Sequence, residues 1–147
     1  MEPVAEVNGV KFINDSKATN VDSVWYALQS VQPPVVWIAG GKDKGGSYAP
    51  LRELFPNRVK GMVLIGQARP LIRQALGDLA PVFECASLPE AVEKAYELSG
   101  EGDTVLLSPA CSSFDMFANF EERGAIFKKS VLELKRKMEQ KWKTAGA

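Results

Sequence analysis

Short apolar runs rich in β-branched residues recur along this chain, and segments with helical spacing separate them. The runs predict five strands, at residues 10–13, 35–39, 61–65, 82–85 and 104–107. Because strands that alternate with helices build βαβ units, the pattern predicts an open, mainly parallel sheet flanked by helices on both faces. The length of 147 residues is typical of one domain. We therefore predict a single-domain α/β protein.

Signals for helix boundaries lie between the predicted strands. The proline pair at 33–34 must end a helix that begins near Val21, since the residue before a proline avoids the helical region. Pro70 suits the first turn of a second helix. Ser87 and Glu90 form the S-x-x-E capping box of a third helix.

A fourth helix is predicted from about residue 125 to residue 141, and we expect residues 141–147 to fray. Its lysines could form a docking surface for an acidic partner. A solvated face is the better interpretation, because Glu133 and Glu139 are interspersed with them.

The sequence contains no histidine. This excludes hydrolases that depend on a Ser-His-Asp or Cys-His pair, an imidazole general base and histidine-ligated metal centres. The two cysteines, Cys85 and Cys111, are too few for a disulfide framework or a four-cysteine zinc site. Without a histidine to deprotonate them, we expect both to be inert, buried thiols.

Charge and hydropathy restrict the partners. Lys and Arg together number 18, as do Asp and Glu, so no nucleic acid or membrane partner is expected. No apolar run reaches the roughly 18 residues of a membrane helix, and the first residues lack the pattern of a signal peptide. We therefore expect a cytoplasmic protein.

Three polar segments follow predicted strands: N-D-S-K-A-T-N at 14–20, G-G-K-D-K-G-G-S at 40–47 and S-P-A-C-S-S-F-D at 108–115. In an open parallel sheet, ligands bind beyond the carboxyl ends of the strands, where such loops converge. We expect these segments to form the functional site.

The glycine-rich segment at 40–47 is similar to a phosphate-binding loop but fails the template. Counting from Gly40, the position that must be lysine is Gly46, and no G-x-G-x-x-G spacing occurs in the chain. What remains is a turn that presents Lys42 and Lys44 around Asp43, which is either a solvated surface turn or an anion site.

The segment at 14–20 also has two interpretations. Asn20 or Thr19 could simply cap the helix that begins near Val21. The combination of a lysine, an aspartate and two hydroxyls in one turn also suits an anionic ligand that carries an amine.

Together, the motifs INDSKATN, AGGKDKG and LLSPACSSFDMFANFEERG resemble the C-terminal domain of the Mur ligases, from about residue 7 to about residue 134. DSKATN is similar to the branch of the family that adds D-glutamate. The resemblance implies a Rossmann-like fold over residues 1–147. It also implies that the N-terminal UDP-binding domain and the central ATPase domain of such ligases are absent, so we expect an isolated domain.

The resemblance implies an ATP-dependent ligase that adds D-glutamate to UDP-N-acetylmuramoyl-L-alanine through an acyl phosphate, in peptidoglycan precursor synthesis. ATP and Mg²⁺ would be bound mainly by the absent central domain, and no metal ligand is expected in this chain. The domain would bind D-glutamate, close over ATP, be monomeric and be inactive alone.

The resemblance also implies site residues. The D-glutamate site would contain Lys44, Thr19, Ser113 and the main chain around Phe120. The nucleotide side of the cleft would contain Asp15, Lys17 and Asn14. Of these, Lys44 should bind a carboxylate of the amino acid, Asp15 should face the ribose, and Lys17 should face a phosphate or the amino acid.

Two alternatives stay open at the level of sequence. The chain could be a regulatory module of the same fold that binds a nucleotide or another anion. It could also be an interaction domain that binds a partner through its basic C-terminal helix.

Overall fold

A computed structural model of the chain describes the backbone of residues 1–146 and the side chains of residues 1–141. The strands within this part are β1 (Glu2–Val7), β2 (Val10–Asn14), β3 (Val35–Gly40), β4 (Val59–Ile65), β5 (Val82–Glu84) and β6 (Thr104–Leu107). The helices are α1 (Val21–Ser30), α2 (Arg69–Leu76), α3 (Leu88–Leu98) and α4 (Phe120–Gly146), with a 3₁₀ helix at Ala49–Leu54. The fraying expected for residues 141–147 falls mostly outside the described side chains.

The strands form one sheet in the order β1-β2-β6-β3-β4-β5. Strand β1 is antiparallel to β2, and every other neighbouring pair is parallel. The parallel strands therefore end at one edge of the sheet, and the loops that follow β2, β3, β4 and β6 meet there.

The sheet has an apolar core on each face. Helices α1 and α2 and the 3₁₀ helix cover one face, where Leu28, Trp37 and Ile72 are fully buried. Helices α3 and α4 cover the other face, where Phe127 and Val131 are fully buried. The central strands β3 and β6 are buried along their whole length, as expected for parallel strands covered on both faces.

The structure confirms the predicted α/β class and all five predicted strands, within two residues at their ends. It also confirms two predicted helix starts. The Asn20 side chain accepts a hydrogen bond from Ser23 N at 2.9 Å and so caps α1. The Ser87 hydroxyl accepts one from Glu90 N at 3.3 Å and caps α3.

Strand β1 was not expected from the alternation of apolar residues. It is an edge strand that contains Pro3 and leaves both of its glutamates exposed, so it lacks a clear apolar face. The Asn8-Gly9 turn that joins it to β2 has positive φ at both residues, 48° and 81°. Asn-Gly is the usual dipeptide for such tight hairpin turns, and it is the sequence signal that identifies this hairpin.

Helix α4 begins at Phe120 rather than near residue 125. The Asn119 side chain accepts a hydrogen bond from Glu122 N at 2.8 Å and caps the helix there. Gly124 lies inside the helix because α4 packs closely on the end of β2: a Cβ at Gly124 would lie 3.0 Å from Asn14 Nδ2. The glycine therefore permits close packing of the helix on β2 rather than marking its start.

None of the helices in the described part of the chain has the combination of length and apolar character that crossing a bilayer requires.

Two leucines of α4 test how the second core is stabilised. Leu134 is 4% exposed and Leu132 is 49% exposed. Leu134→Ala should lower the free energy of unfolding by about 2 to 5 kcal/mol, because it removes buried methyl groups and leaves a cavity. The matched variant Leu132→Ala should change it by less than about 0.5 kcal/mol. Chemical denaturation of both variants measures the difference, and equal losses would contradict the assigned packing of α4.

Candidate functional site

Backbone hydrogen bonds join the loops at the carboxyl edge of the sheet. We call residues 15–20, 40–47 and 108–119 the first, second and third loops. Ala110 N donates to Ala18 O at 2.9 Å and connects the third loop to the first. Lys42 and Ser112 exchange two bonds, at 3.0 and 3.1 Å, and connect the second loop to the third. The convergence that the sequence predicted is therefore observed.

Arg123 lies beneath these loops and is fully buried. Its Nη2 and Nε donate to the carbonyl and hydroxyl oxygens of Ser16, at 2.7 and 3.0 Å. Its Nη1 donates to Cys111 O at 3.1 Å. One side chain of α4 thus fixes the first loop and the third loop relative to each other.

The guanidinium of Arg123 is held by neutral oxygens rather than by a carboxylate. Burial lowers the pKa of Arg123 to about 10, so the side chain remains charged at neutral pH. The Ser16 hydroxyl in turn donates to Phe120 O at 2.7 Å, at the start of α4. In this network each nitrogen of the Arg123 guanidinium donates a hydrogen bond. Such bonds are needed because a buried charge without hydrogen bonds is strongly unfavourable.

Glycines allow the second loop to reach this network. Gly41 has φ 135°, and a Cβ there would lie 2.4 Å from Ser112 O. Gly66, after β4, has φ 74°, and a Cβ there would lie 2.6 Å from the Asp115 carboxylate. That carboxylate accepts a hydrogen bond from Gln67 N at 2.9 Å, so the exit of β4 is also tied to the third loop.

The residues predicted for the nucleotide side lie close together in the chain but differ in environment. Asp15 is 5% exposed, and its carboxylate accepts a hydrogen bond from Ser108 Oγ at 3.1 Å. Burial raises the pKa of the Asp15 carboxyl, and the hydrogen bond from Ser108 opposes this effect. The Asn14 side chain is half-buried and accepts a hydrogen bond from Ser16 N, whereas Lys17 is exposed.

Three cavities open at this edge of the sheet. One, of about 360 Å³, lies between the first loop and α1 and is lined by Asp15 and Lys17. We call the other two the first and second cavities. The first, of about 350 Å³, is lined by three of the predicted residues, Asn14, Lys17 and Phe120, and also by Lys128. The second, of about 310 Å³, is lined by Lys44 together with residues from all three loops and from the 3₁₀ helix, among them Asn20, Asp43, Tyr48, Pro50 and Ala110.

Neither cavity contains all four residues predicted for D-glutamate. Lys44 is exposed in the second cavity, and Phe120 lies in the first. Thr19 is half-buried directly before the cap of α1. Ser113 is 2% exposed, and its carbonyl oxygen accepts hydrogen bonds from the backbone of the third loop. Thr19 and Ser113 each follow a residue that bonds to a neighbouring loop, so both lie where the loops join.

Both cysteines are buried, as predicted. Burial raises the pKa of the Cys85 thiol, and it raises the pKa of Cys111 to about 11. At neutral pH both thiols are protonated and therefore weak nucleophiles. Among the described residues, no group of three or more carboxylates and thiols is arranged to hold a metal ion.

Sequence reasoning missed two residues that shape the site, Arg123 and Tyr48. Arg123 stands among glutamates in F-E-E-R-G, a composition that is typical of a solvated helix end. Tyr48 follows the glycine-rich turn, and its 5% exposure depends on the packing of the 3₁₀ helix. The position of Arg123 on the same helix face as Phe127 is the signal that could have indicated its burial.

Comparison with known proteins matches the chain to one family model and to relatives that share one name. A family model described as "Mur ligase, glutamate ligase domain" matches residues 1–111. A relative named UDP-N-acetylmuramoylalanine--D-glutamate ligase, from Anaeromyxobacter dehalogenans, is 53% identical over 136 residues, which cover 90% of this chain and 29% of the relative. A relative of the same name from Chloroherpeton thalassium is 50% identical over 134 residues, which cover 91% of this chain and 29% of the relative. The chain thus spans less than a third of the length of these relatives.

A solved structure has the same fold. It is a domain assigned to a UDP-N-acetylmuramate:L-alanyl-γ-D-glutamyl-meso-diaminopimelate ligase from Haemophilus ducreyi. The two match with a TM-score of 0.52 over 88% of this chain and 98% of the other, at 15% sequence identity.

The role of Arg123 in holding the loops can be tested by a charge-conserving change. Arg123→Lys should lower the free energy of unfolding by about 2 to 4 kcal/mol, because an ammonium cannot reproduce the forked hydrogen bonds to Ser16 and Cys111. Arg136→Lys, at an exposed position of the same helix, is the matched control and should be neutral. Denaturant titration measures both, and a neutral Arg123→Lys variant would contradict this account of the loops.

Proposed function

This chain belongs to the Mur ligase family, as its glutamate ligase domain, and we propose that it is the C-terminal, amino-acid-binding domain of a longer ATP-dependent ligase. The substrates would be UDP-N-acetylmuramoyl-L-alanine, D-glutamate and ATP, and the product would serve peptidoglycan synthesis in the cytoplasm. The high identity to relatives with one shared name supports this choice within the family.

The reaction defines what this domain must do. ATP would phosphorylate the carboxylate of UDP-N-acetylmuramoyl-L-alanine, and the amine of D-glutamate would attack the acyl phosphate. The tetrahedral intermediate would collapse to an amide and phosphate. The amino acid has to be held with its amine aimed at the acyl carbon, so the task is orientation more than proton transfer. A chain without histidine is suited to such a task.

The observation that carries the proposal is the placement of Lys44. It lies exposed in a cavity bounded by all three loops, at the edge of the sheet where ligands of this fold class bind. Its ammonium is a compact cation with several donors, which suits one carboxylate of D-glutamate. The N-terminus of α1 lines the same cavity through Asn20 and Val21 and adds a favourable dipole for an anion.

Thr19 and Ser113 would support the same ligand from the junctions between loops. Thr19 follows Ala18, which bonds to Ala110, and Ser113 follows Ser112, which bonds to Lys42. The backbone at these points is held by the hydrogen bonds between the loops, so binding there would cost little loop-ordering entropy. Phe120 would contribute through its main chain, at the start of α4.

Asp15 and Lys17 would face ATP, with Asn14 at the same edge. The Asp15 carboxylate is held by Ser108 and can accept hydrogen bonds from ribose hydroxyls. Lys17 is exposed and can reach a phosphate. Mg²⁺ would be held mainly by the remaining part of the ligase and by the phosphates.

The ligase reaction would be controlled by closure of this domain onto the rest of the enzyme. Binding of substrates would bring this domain onto an ATPase domain, complete the site and exclude the water that would otherwise hydrolyse the acyl phosphate. On this account the chain has no ligase activity alone.

Substitution of Lys44 in the full-length ligase tests the assignment. Lys44→Ala should raise the KM for D-glutamate by at least about tenfold, because a charge-assisted hydrogen bond to the carboxylate is lost. The KM for ATP should change by less than about twofold. The neighbouring variant Lys42→Ala is the matched control and should leave both constants near the wild-type values.

Steady-state release of phosphate, with each substrate varied in turn, gives both constants. Equal increases in the two KM values would overturn the role of Lys44. Tight binding of ATP by this chain alone would favour a nucleotide-binding regulatory module instead.

A further inference from the structure

The turn that carries Lys44 is anchored by Tyr48. The Tyr48 ring is 5% exposed and packs within the core between α1, the 3₁₀ helix and the sheet. Its hydroxyl oxygen lies 2.6 Å from Asp43 Oδ1 and donates a hydrogen bond to that carboxylate. A ring held by the core thus reaches the residue directly before Lys44.

The second oxygen of Asp43 closes the turn. Asp43 Oδ2 accepts a hydrogen bond from Gly45 N at 2.9 Å, so the side chain spans Lys44 from one side to the other. This is an Asx turn, a common way of fixing a short loop. It restrains a segment in which Gly45 and Gly46 would otherwise allow many backbone conformations.

Both hydrogen bonds also hold the Asp43 carboxylate away from an ion pair with Lys44. Opposite charges at adjacent positions of a turn can pair, and an Asp43–Lys44 pair would compete with a carboxylate ligand for the ammonium. In the described structure, each Asp43 oxygen accepts a hydrogen bond, from Tyr48 or from Gly45, and Lys44 forms no ion pair with any described side chain. The ammonium is therefore available to a ligand.

Tyr48 is suited to this task because it remains a donor. Burial and the hydrogen bond to Asp43 both raise the pKa of Tyr48, so its hydroxyl is protonated at every physiological pH. The same oxygen lies 3.3 Å from Cys111 Sγ. This second contact ties the ring to the third loop, beside the backbone carbonyl that Arg123 binds.

We propose that Tyr48 is a positioning residue for the amino-acid substrate: acting through Asp43, it fixes the turn that presents Lys44 and keeps the Asp43 carboxylate from pairing with the Lys44 ammonium. The inference rests on the proposed function, in which Lys44 binds a carboxylate of D-glutamate.

Steady-state kinetics of the full-length ligase test this role. Tyr48→Phe removes only the hydroxyl and should raise the KM for D-glutamate by at least about tenfold, the effect of one lost hydrogen bond to a charged group. The KM for ATP should stay within about twofold of the wild-type value. Tyr96→Phe is the matched control: its hydroxyl likewise makes a hydrogen bond of 2.6 Å, here accepted from Asn8, at a position remote from the loops, and both constants should be unchanged.

Two substitutions of Asp43 separate the turn from the charge. Asp43→Ala loses the turn and should raise the KM for D-glutamate about as much as Tyr48→Phe. The side chain in Asp43→Asn can still accept a hydrogen bond from Gly45 N and carries no charge that competes for Lys44. Its KM for D-glutamate should therefore lie close to the wild-type value and well below that of Asp43→Ala. A rise in both KM values on Tyr48→Phe, or no change in either, would overturn the proposal.

Amide hydrogen exchange of the full-length protein gives a readout that does not need ligase activity. Peptides that cover residues 42–47 should exchange about tenfold faster in Tyr48→Phe than in the wild-type protein or in Tyr96→Phe, while peptides of β3 and β4 keep their protection. Unchanged protection of the turn would overturn the positioning role. Absence of D-glutamate-dependent phosphate release from the wild-type ligase would contradict only the proposed function, since the exchange result still decides whether Tyr48 holds the turn.

Discussion

The buried guanidinium of Arg123 is the interaction on which the arrangement of this edge depends. A parallel sheet brings its strand exits to one side, but it does not determine how the loops beyond those exits are arranged. Arg123 does so by donating to Ser16 in the first loop and to Cys111 in the third. Removing such a cation from water is costly, and the hydrogen bond that each of its three nitrogens donates offsets part of that cost. The second loop joins the same unit through Lys42 and Ser112.

Several features at the carboxyl edge of the sheet are unfavourable for the stability of the folded chain. Asp15 keeps a buried carboxyl whose pKa is raised by burial. Ala110 has φ 65°, a left-handed conformation that is unfavourable for a residue with a side chain, and its N–H bonds to Ala18. Gly41 has a conformation that L side chains rarely adopt. Conformations of this kind persist where the surroundings enforce them, and they are concentrated at functional sites. The two apolar cores supply the stability that tolerates them.

The amount that sequence could predict differs between the core and the site. Strands such as β3 could be predicted because a fully buried strand is a continuous run of apolar residues. The helix caps Asn20 and Ser87 could be predicted because capping is local. Strand β1 was missed because an edge strand needs no apolar face, although the Asn8-Gly9 turn identifies it.

The site was predicted as three loops but not as a network. The roles of Arg123 and Tyr48 depend on contacts with residues far away in the chain, and no periodicity or spacing encodes them. Ser113 is a second residue whose environment the sequence pattern does not predict. The resemblance implies a ligand-binding hydroxyl at this position, and the structure adds that the residue is 2% exposed at a junction between loops. Burial of this kind follows from packing, which sequence patterns describe only in part.

We propose that the three loops form one site for a carboxylate of D-glutamate. The most direct measurement is an NMR titration of the ¹⁵N-labelled chain with D-glutamate, and with L-glutamate as the control. The account predicts weak, saturable shifts of the amide signals of Thr19, Lys44 and Ser113, larger with the D-enantiomer. Shifts that avoid all three loops, or that are identical for the two enantiomers, would contradict it.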